Sequence, residues 1–215
     1  MKKFTIVFLL LILILLNSCL GASADITLRA DGSGKIALEY RVSQMLESMG
    51  RLDGNERWPV IPVGKADFER SLARIPDMRL ASFSSKDIRK NSGAHDLVTK
   101  VTLDFKNTAA LLAFLDRSGS YSSLTQNNGK NILRLVLLDP AGGSIDEDLL
   151  SLVQDLSSGY EISLSFSVPK NASLSILPSP VPSARVVSQG KKVSCAIPVG
   201  DMLSLKDGLA LEITW

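Results

Sequence analysis

The sequence predicts an α+β domain, built from a mainly antiparallel sheet with about three helices packed on one face. Two observations predict this class. Short segments with the alternating apolar pattern of half-buried strands recur along the chain. Segments with helical spacing of apolar residues interrupt them, and the recurring order is helix, strand, strand. That order is typical of helices layered on one antiparallel sheet.

Three segments have the apolar spacing of helices. The first helix is expected over 66–75, because apolar residues recur at i, i+4 and i+7 and a proline follows. The second is expected over about 108–116, with a polar cap before it and a glycine after it. The third begins with the capping box Ser144–Glu147 and ends before Gly159.

Ten segments are expected to be strands, and two of them, 36–42 and 160–168, show the alternating pattern clearly. In 160–168, apolar residues from Ile162 to Val168 alternate with Glu161 and three serines. One face of the sheet is therefore expected to be apolar and the other serine-rich and open to water. The ten segments are 26–29, 36–42, 78–84, 96–105, 121–125, 132–138, 160–168, 184–187, 192–197 and 209–215.

Two apolar, proline-containing segments, 51–65 and 169–182, are expected to be loops. Loops of this composition usually pack over the edge of a core, since large exposed apolar patches are uncommon. The alternative is a lid or a docking patch for a lipid or a partner protein. Under that alternative the candidate ligand-binding side chains are Trp58, Leu174, Ile176, Leu177 and Val181.

The N-terminus has the pattern of an export signal. Lys2 and Lys3 precede a run of apolar residues that ends at Leu16, as in secretory signal peptides. The following residues, up to Cys19, resemble the lipobox of bacterial lipoproteins, which implies that Cys19 is acylated. This interpretation divides the chain into a signal peptide over 1–18, a short tether over 19–24, and one globular domain over 25–215.

Two other fates of the N-terminus are open. An ordinary signal peptidase would cut after the A-x-A site Ala22-Ser23-Ala24 and release a protein that starts at Asp25. Alternatively, residues 4–24 stay uncut as a membrane anchor, because 21 residues approach the ~20 needed to span a bilayer. The last eight of them are mostly small or polar, which shortens the strongly apolar part.

The charge of the mature chain argues against two classes of function. The 24 basic and 22 acidic residues of the full sequence include Lys2 and Lys3, so removal of the signal leaves a net charge of zero. A neutral domain argues against an electrostatic nucleic-acid binder and against a polybasic membrane-surface protein. If Cys19 is acylated, Cys195 has no cysteine left to pair with.

Catalysis has little support in the sequence. The single histidine, His95, has no G-x-S-x-G elbow to supply a nucleophile, and Cys and His are too few for a zinc site. The carboxylates at 146–148 are explained by their place at a helix N-terminus. We expect no enzyme, cofactor or metal, although an enzyme that relies on acidic residues is a third alternative.

The body of the chain resembles the LppM-type domain of bacterial lipoproteins. The shared features are a turn at Asp31-Gly32-Ser33 after an early strand, helices that alternate with antiparallel strands, and the closing segments 197–199 and 209–215. The resemblance implies an envelope domain that binds lipid or glycolipid in an apolar cavity.

The leading interpretation is a non-enzymatic envelope lipoprotein, exported and anchored by acyl chains to the inner or outer membrane. It would face the periplasm or the cell surface and bind lipid or another apolar ligand. The alternative is a structural lipoprotein that contacts other envelope proteins through the serine-rich sheet face and the sheet edges.

Overall fold

The computed structural model describes residues 20–43, 64–89, 95–116, 120–138, 160–178, 181, 183–205 and 207–215. The signal segment with Cys19, the segment that contains Trp58 and the third predicted helix lie outside these ranges. Among the described residues, no helix is both long enough and apolar enough to cross a membrane.

Within those ranges the chain is mostly β, with eleven strands and three short helices. The strands are β1 (Leu20–Leu28), β2 (Gly34–Ser43), β3 (Met78–Arg89), β4 (His95–Phe105), β5 (Ser122–Asn127), β6 (Lys130–Leu138), β7 (Glu161–Ser167), β8 (Ser173–Leu177), β9 (Arg185–Gln189), β10 (Lys192–Pro198) and β11 (Leu209–Thr214). The helices are α1 (Lys65–Leu72), α2 (Thr108–Leu115) and α3 (Val199–Leu203).

The strands form two sheets. The larger has seven strands in the order β3-β4-β2-β1-β7-β10-β9, and the smaller has four in the order β5-β6-β11-β8. The β1–β7 pair is parallel, while every other pair is antiparallel. The long separation of β1 and β7 along the chain suits a parallel pair, which a tight turn cannot connect.

The inner faces of the two sheets bury each other in one hydrophobic core. The larger sheet contributes Ile36, Leu103 and Phe166, and the smaller contributes Leu211 and Ile213, each at most 1% exposed. Along β10, for example, buried residues alternate with more exposed ones, as the two-residue period of a strand requires.

The α+β prediction of one sheet with about three helices packed on one face was wrong. The second layer is the four-stranded sheet. Helices α1 and α2 have eight residues each. Phe68 of α1 packs near Tyr40 and Phe83, with ring centroids 6.5 and 5.9 Å apart. Alternation shows which face of a strand is buried, but either a helix or a second sheet can bury it.

All ten predicted strand segments form strands, with shifted ends. Two described elements were not predicted, β8 and α3. The prolines of 169–182 predicted a loop there, yet they flank β8 rather than interrupt it. Because β8 is an edge strand, neighbouring prolines cost it no central ladder hydrogen bonds.

Gly34 begins β2 at a very close contact between strands. A Cβ atom there would overlap the carbonyl oxygen of Thr27 and the ring of Phe105. Phe105 is itself 2% exposed and has no room to move away. Only a glycine fits at this position of the sheet.

We expect Gly34→Ala to lower the free energy of unfolding by roughly 3 kcal/mol or more, because the added carbon overpacks the core. Gly129→Ala is the matched control, since that residue has open space around it and a φ of +74°. In the Gly129→Ala variant, the left-handed conformation alone should lower the free energy of unfolding by about 1–2 kcal/mol. Urea unfolding measures the free energy of unfolding of both variants. If Gly34→Ala is no more destabilised than Gly129→Ala, the close packing at Gly34 would be contradicted.

Burial governs the chemistry of Cys195 in β10. The residue is 3% exposed, and desolvation raises the pKa of its thiol from its ordinary value near 9 to about 11, against the opposing effect of a hydrogen bond with the Leu164 backbone. We expect the folded protein to react with a disulfide reagent at pH 8 only as fast as it unfolds, and denaturant to release the thiol.

The same shift sets a pH dependence of stability. Since the folded-state pKa lies above the unfolded value, this group's contribution is complete below pH 9 and is lost as the pH rises towards 11. Cys195→Ala should lack that part of the alkaline loss. Rapid reaction of the native thiol at pH 8, without unfolding, would show that the side chain is accessible.

Candidate functional site

Burial of the larger sheet's inner face decreases towards the Leu20 end of β1. Ile26, Ile36 and Phe166 lie side by side on β1, β2 and β7 and are at most 2% exposed. The next two rows towards that end are only partly buried. These rows are Ala24, Leu38 and Leu164, followed by Ala22, Tyr40 and Ile162.

On the flanking strands β4 and β10, the residues beside these two rows are buried. Val101 and Thr99 on β4 pair with Leu38 and Tyr40, while Cys195 and Ile197 on β10 pair with Leu164 and Ile162. All four flanking residues are at most 3% exposed. The partly covered apolar strip is therefore confined to the middle three strands. We call this strip the inter-sheet cleft. It consists of two rows, Ala24, Leu38 and Leu164, and Ala22, Tyr40 and Ile162.

A cavity of about 100 Å³ lies at the inner end of the inter-sheet cleft. Besides the larger sheet, its walls come from α2, β6 and the start of β5, including Phe114, Leu115 and Leu137. No charged side chain of the described residues lines it. An apolar cavity of about 150 Å³ stays dry and accepts small apolar molecules, so this one suits the end of an apolar chain.

The polar groups near the cleft are neutral or already paired. Desolvation raises the pKa of Tyr40 to about 12, against a lowering hydrogen bond with Thr99, so its hydroxyl stays protonated at neutral pH. Ser122 in the cavity wall donates to the carbonyl oxygen of Leu112 over 3.4 Å. The cavity thus offers apolar contact, and the Asp67 carboxylate near Tyr40 is paired with Arg70.

The outer face of the larger sheet has a second, wider concavity of about 650 Å³, which we call the outer groove. Its floor consists of small residues, which are Ser23, Ala37, Thr102, Ser163, Ser165, Ser194 and Ala196. The serines of β7 thus share one face, as their alternation predicted.

Ion pairs balance the charges at the outer groove. Lys100 lies 2.8 Å from Glu39, and Lys192 lies 3.3 Å from Asp25. Arg185 forms a third pair with Glu161, over 2.6 Å. A neutral, hydroxyl-bearing floor with paired charges fits a polar protein surface better than it fits an acyl chain.

The structure does not bring the sequence-predicted ligand residues to the inter-sheet cleft. Leu174 and Val181 belong to the core, at 8% and 5% exposure, and Ile176 packs against that core. Leu177 lies on the outer face of the smaller sheet, beside Ala210. Trp58 and the lipidation candidate Cys19 lie outside the described residues.

The cleft residues were not singled out from the sequence. Leu38 and Leu164 occupy the apolar positions of alternating strands, as fully buried Ile36 and Phe166 do. Alternation assigns all four to the inner face, but nothing in it indicates which rows the second sheet covers.

No described residues form a group of three or more His, Cys, Asp or Glu side chains that could hold a metal ion. The buried carboxylate of Asp96 lies 3.7 Å from the guanidinium of Arg41, which partly compensates its charge.

No family model matches the chain, and no curated protein matches it either. The resemblance to the LppM-type domain therefore stays a prediction from the sequence pattern.

Two apolar-to-serine changes in β8 test the placement of the predicted ligand residues. Leu174→Ser should lower the free energy of unfolding by about 3–5 kcal/mol, because it leaves a cavity and a hydroxyl in the core. Leu177→Ser, on the opposite face, should cost about 1 kcal/mol or less. Urea unfolding compares them, and a mild effect at Leu174 would return that residue to the list of candidate ligand contacts.

Proposed function

We propose that the protein is a non-enzymatic, membrane-anchored lipoprotein of the cell envelope that binds a lipid or another apolar ligand in the inter-sheet cleft. The lipobox pattern that ends at Cys19 supports the envelope address. The observation that carries the binding function is the apolar cleft, with an uncharged cavity at its inner end.

The cleft fits an acyl chain in two parts. The cavity of about 100 Å³ has room for the last few carbons of a chain. The partly exposed rows that lead to it offer Leu38, Leu164 and Ile162 to the carbons that follow. Each methylene moved from water to such a surface contributes about 0.8 kcal/mol. A polar headgroup would remain at the mouth, in contact with water.

The outer groove favours a second candidate function, that of a scaffold for other envelope proteins. Its small side chains allow a partner backbone to approach closely, and its paired charges avoid a repulsive field. The adjacent edge strand β9 is exposed along all five residues, including Val186 and Val187 at 42% and 47%. An exposed edge can pair with an extended segment of another protein.

One pair of substitutions separates the two functions. Ala24 on β1 lines the cavity of the cleft, whereas Ala37 on β2 lines the outer groove and not that cavity. We expect Ala24→Leu to weaken binding of a dansyl-labelled fatty acid at least about tenfold, because excluding two methylenes costs about 1.6 kcal/mol. Ala37→Leu should leave that affinity unchanged within about twofold, a difference of about 0.4 kcal/mol.

Fluorescence titration measures the affinities, and thermal unfolding checks that both variants fold. Unchanged fatty-acid binding by a folded Ala24→Leu protein would show that the cleft is not the ligand site. Absence of fatty-acid binding by the unmodified protein, together with a stoichiometric envelope partner that Ala37→Leu releases, would favour the scaffold function instead.

A further inference from the structure

The strand at the centre of the larger sheet starts immediately after the proposed lipidation site. Leu20 to Ala24, expected from the sequence to form a tether, are the first half of β1. Leu20 pairs with Glu161 of β7, and Ala22 pairs with both Tyr40 of β2 and Ile162 of β7. β1 is the fourth of the seven strands and is paired on both sides.

We propose that the mature chain keeps Leu20 to Ala24 and that the fold holds the domain directly against the bilayer that anchors Cys19. The mouth of the inter-sheet cleft then faces this bilayer, which is the source of its ligand. This inference rests on the proposed function, and it names the membrane surface as the partner of one end of the sheet.

The pairing of β1 excludes the two other fates of the N-terminus for a folded domain. Cleavage after Ala24 would remove five residues between β2 and β7 and leave backbone N–H and C=O groups of both neighbours without partners. An uncut anchor over residues 4–24 would need 20–24 in a helix. With those residues in β1, the segment 4–19 is shorter than the ~20 residues that span a bilayer.

The absence of a tether fixes the distance to the membrane. Cys19 and Leu20 are consecutive, so their Cα atoms are about 3.8 Å apart. The described residues next to the start of β1 are compatible with a lipid interface. Tyr160 packs beside Gly21, and its carbonyl oxygen accepts a hydrogen bond from Val199 over 3.0 Å. Tyrosine is enriched at the boundary between lipid and water.

The far end of the larger sheet carries a cluster of paired charges. At the far end of β1, roughly 25 Å away at 3.3 Å per residue, the basic side chains of Arg29, Lys35, Arg79 and Lys106 surround a surface concavity. Lys35 and Arg79 both pair with Asp104 there. The anchored end carries ion pairs too, Arg41 with Asp96 and Arg185 with Glu161, and the partly uncovered apolar rows of the inter-sheet cleft lie there.

A tether inserted by mutation tests this orientation. The full lipoprotein is reconstituted in phosphatidylethanolamine/phosphatidylglycerol vesicles that contain a fluorescent phospholipid, and uptake of that phospholipid by the protein is followed. The variant carries a 12-residue Gly/Ser linker between Cys19 and Leu20, with a root-mean-square length of about 19 Å. The matched control carries the same insertion in the turn between Asn128 and Gly129, which joins β5 to β6.

We expect the linker after Cys19 to slow phospholipid uptake at least fivefold and to leave the affinity for dansyl fatty acid within twofold of the unmodified value. The insertion at Asn128 should change neither. Equal uptake with and without the linker, while fatty-acid binding persists, would overturn the orientation. If the unmodified protein does not bind the fatty acid at all, the proposed function itself would be overturned.

The proposed cleavage before Cys19 can be tested on the same reconstituted lipoprotein. Intact-mass measurement should give a chain that starts at Cys19 with acyl groups attached. A chain produced with Asp25 as its first residue should show no cooperative thermal unfolding, whereas an unacylated chain that starts at Leu20 should unfold cooperatively. Cooperative unfolding of the Asp25 chain would overturn the requirement for residues 20–24.

Discussion

The double pairing of β1 is the constraint on which the rest of the structure depends. On one side β2, β4 and β3 form an antiparallel group, and on the other side β7, β10 and β9 form a second one. β1 connects the two groups, through an antiparallel ladder to β2 and a parallel ladder to β7. Both groups supply core residues, so the single inner face that receives the smaller sheet exists only because β1 joins them.

The inter-sheet cleft follows from the unequal sizes of the two sheets. Four strands pack against seven, and the smaller sheet cannot cover the whole inner face of the larger one. Near β3, the ring of Phe68 on α1 covers the inner face instead. In the middle, towards the Leu20 end, the described residues leave Leu38 and Leu164 partly exposed. A sheet mismatch of this kind produces an apolar opening without any special motif, since every residue involved belongs to an ordinary alternating strand.

This origin explains what the sequence could and could not predict. Local strand signals located ten strands, and alternation located the serine-rich outer face, because both need only local sequence information. The second layer could not be predicted, because a strand such as 132–138 reads the same whether a helix or a sheet covers it. Leu174 and Val181 were candidates for ligand contact, since apolar residues among prolines suggest a loop; both are core residues. The cleft residues Leu38 and Leu164 could not be separated from buried Ile36 and Phe166, because coverage is a property of the partner layer.

The parallel β1–β7 ladder also has a consequence for the order of folding. Its partners are about 140 residues apart in the chain. The hairpin of β1 and β2 can form early from local contacts, yet the other edge of β1 has no partner until β7 arrives. Contacts of such long range are slow to form, and an unpaired apolar edge invites association with other chains. If the chain is exported N-terminus first, as proposed, β1 carries an open strand edge through most of its passage, and protection of that edge during translocation follows from this topology.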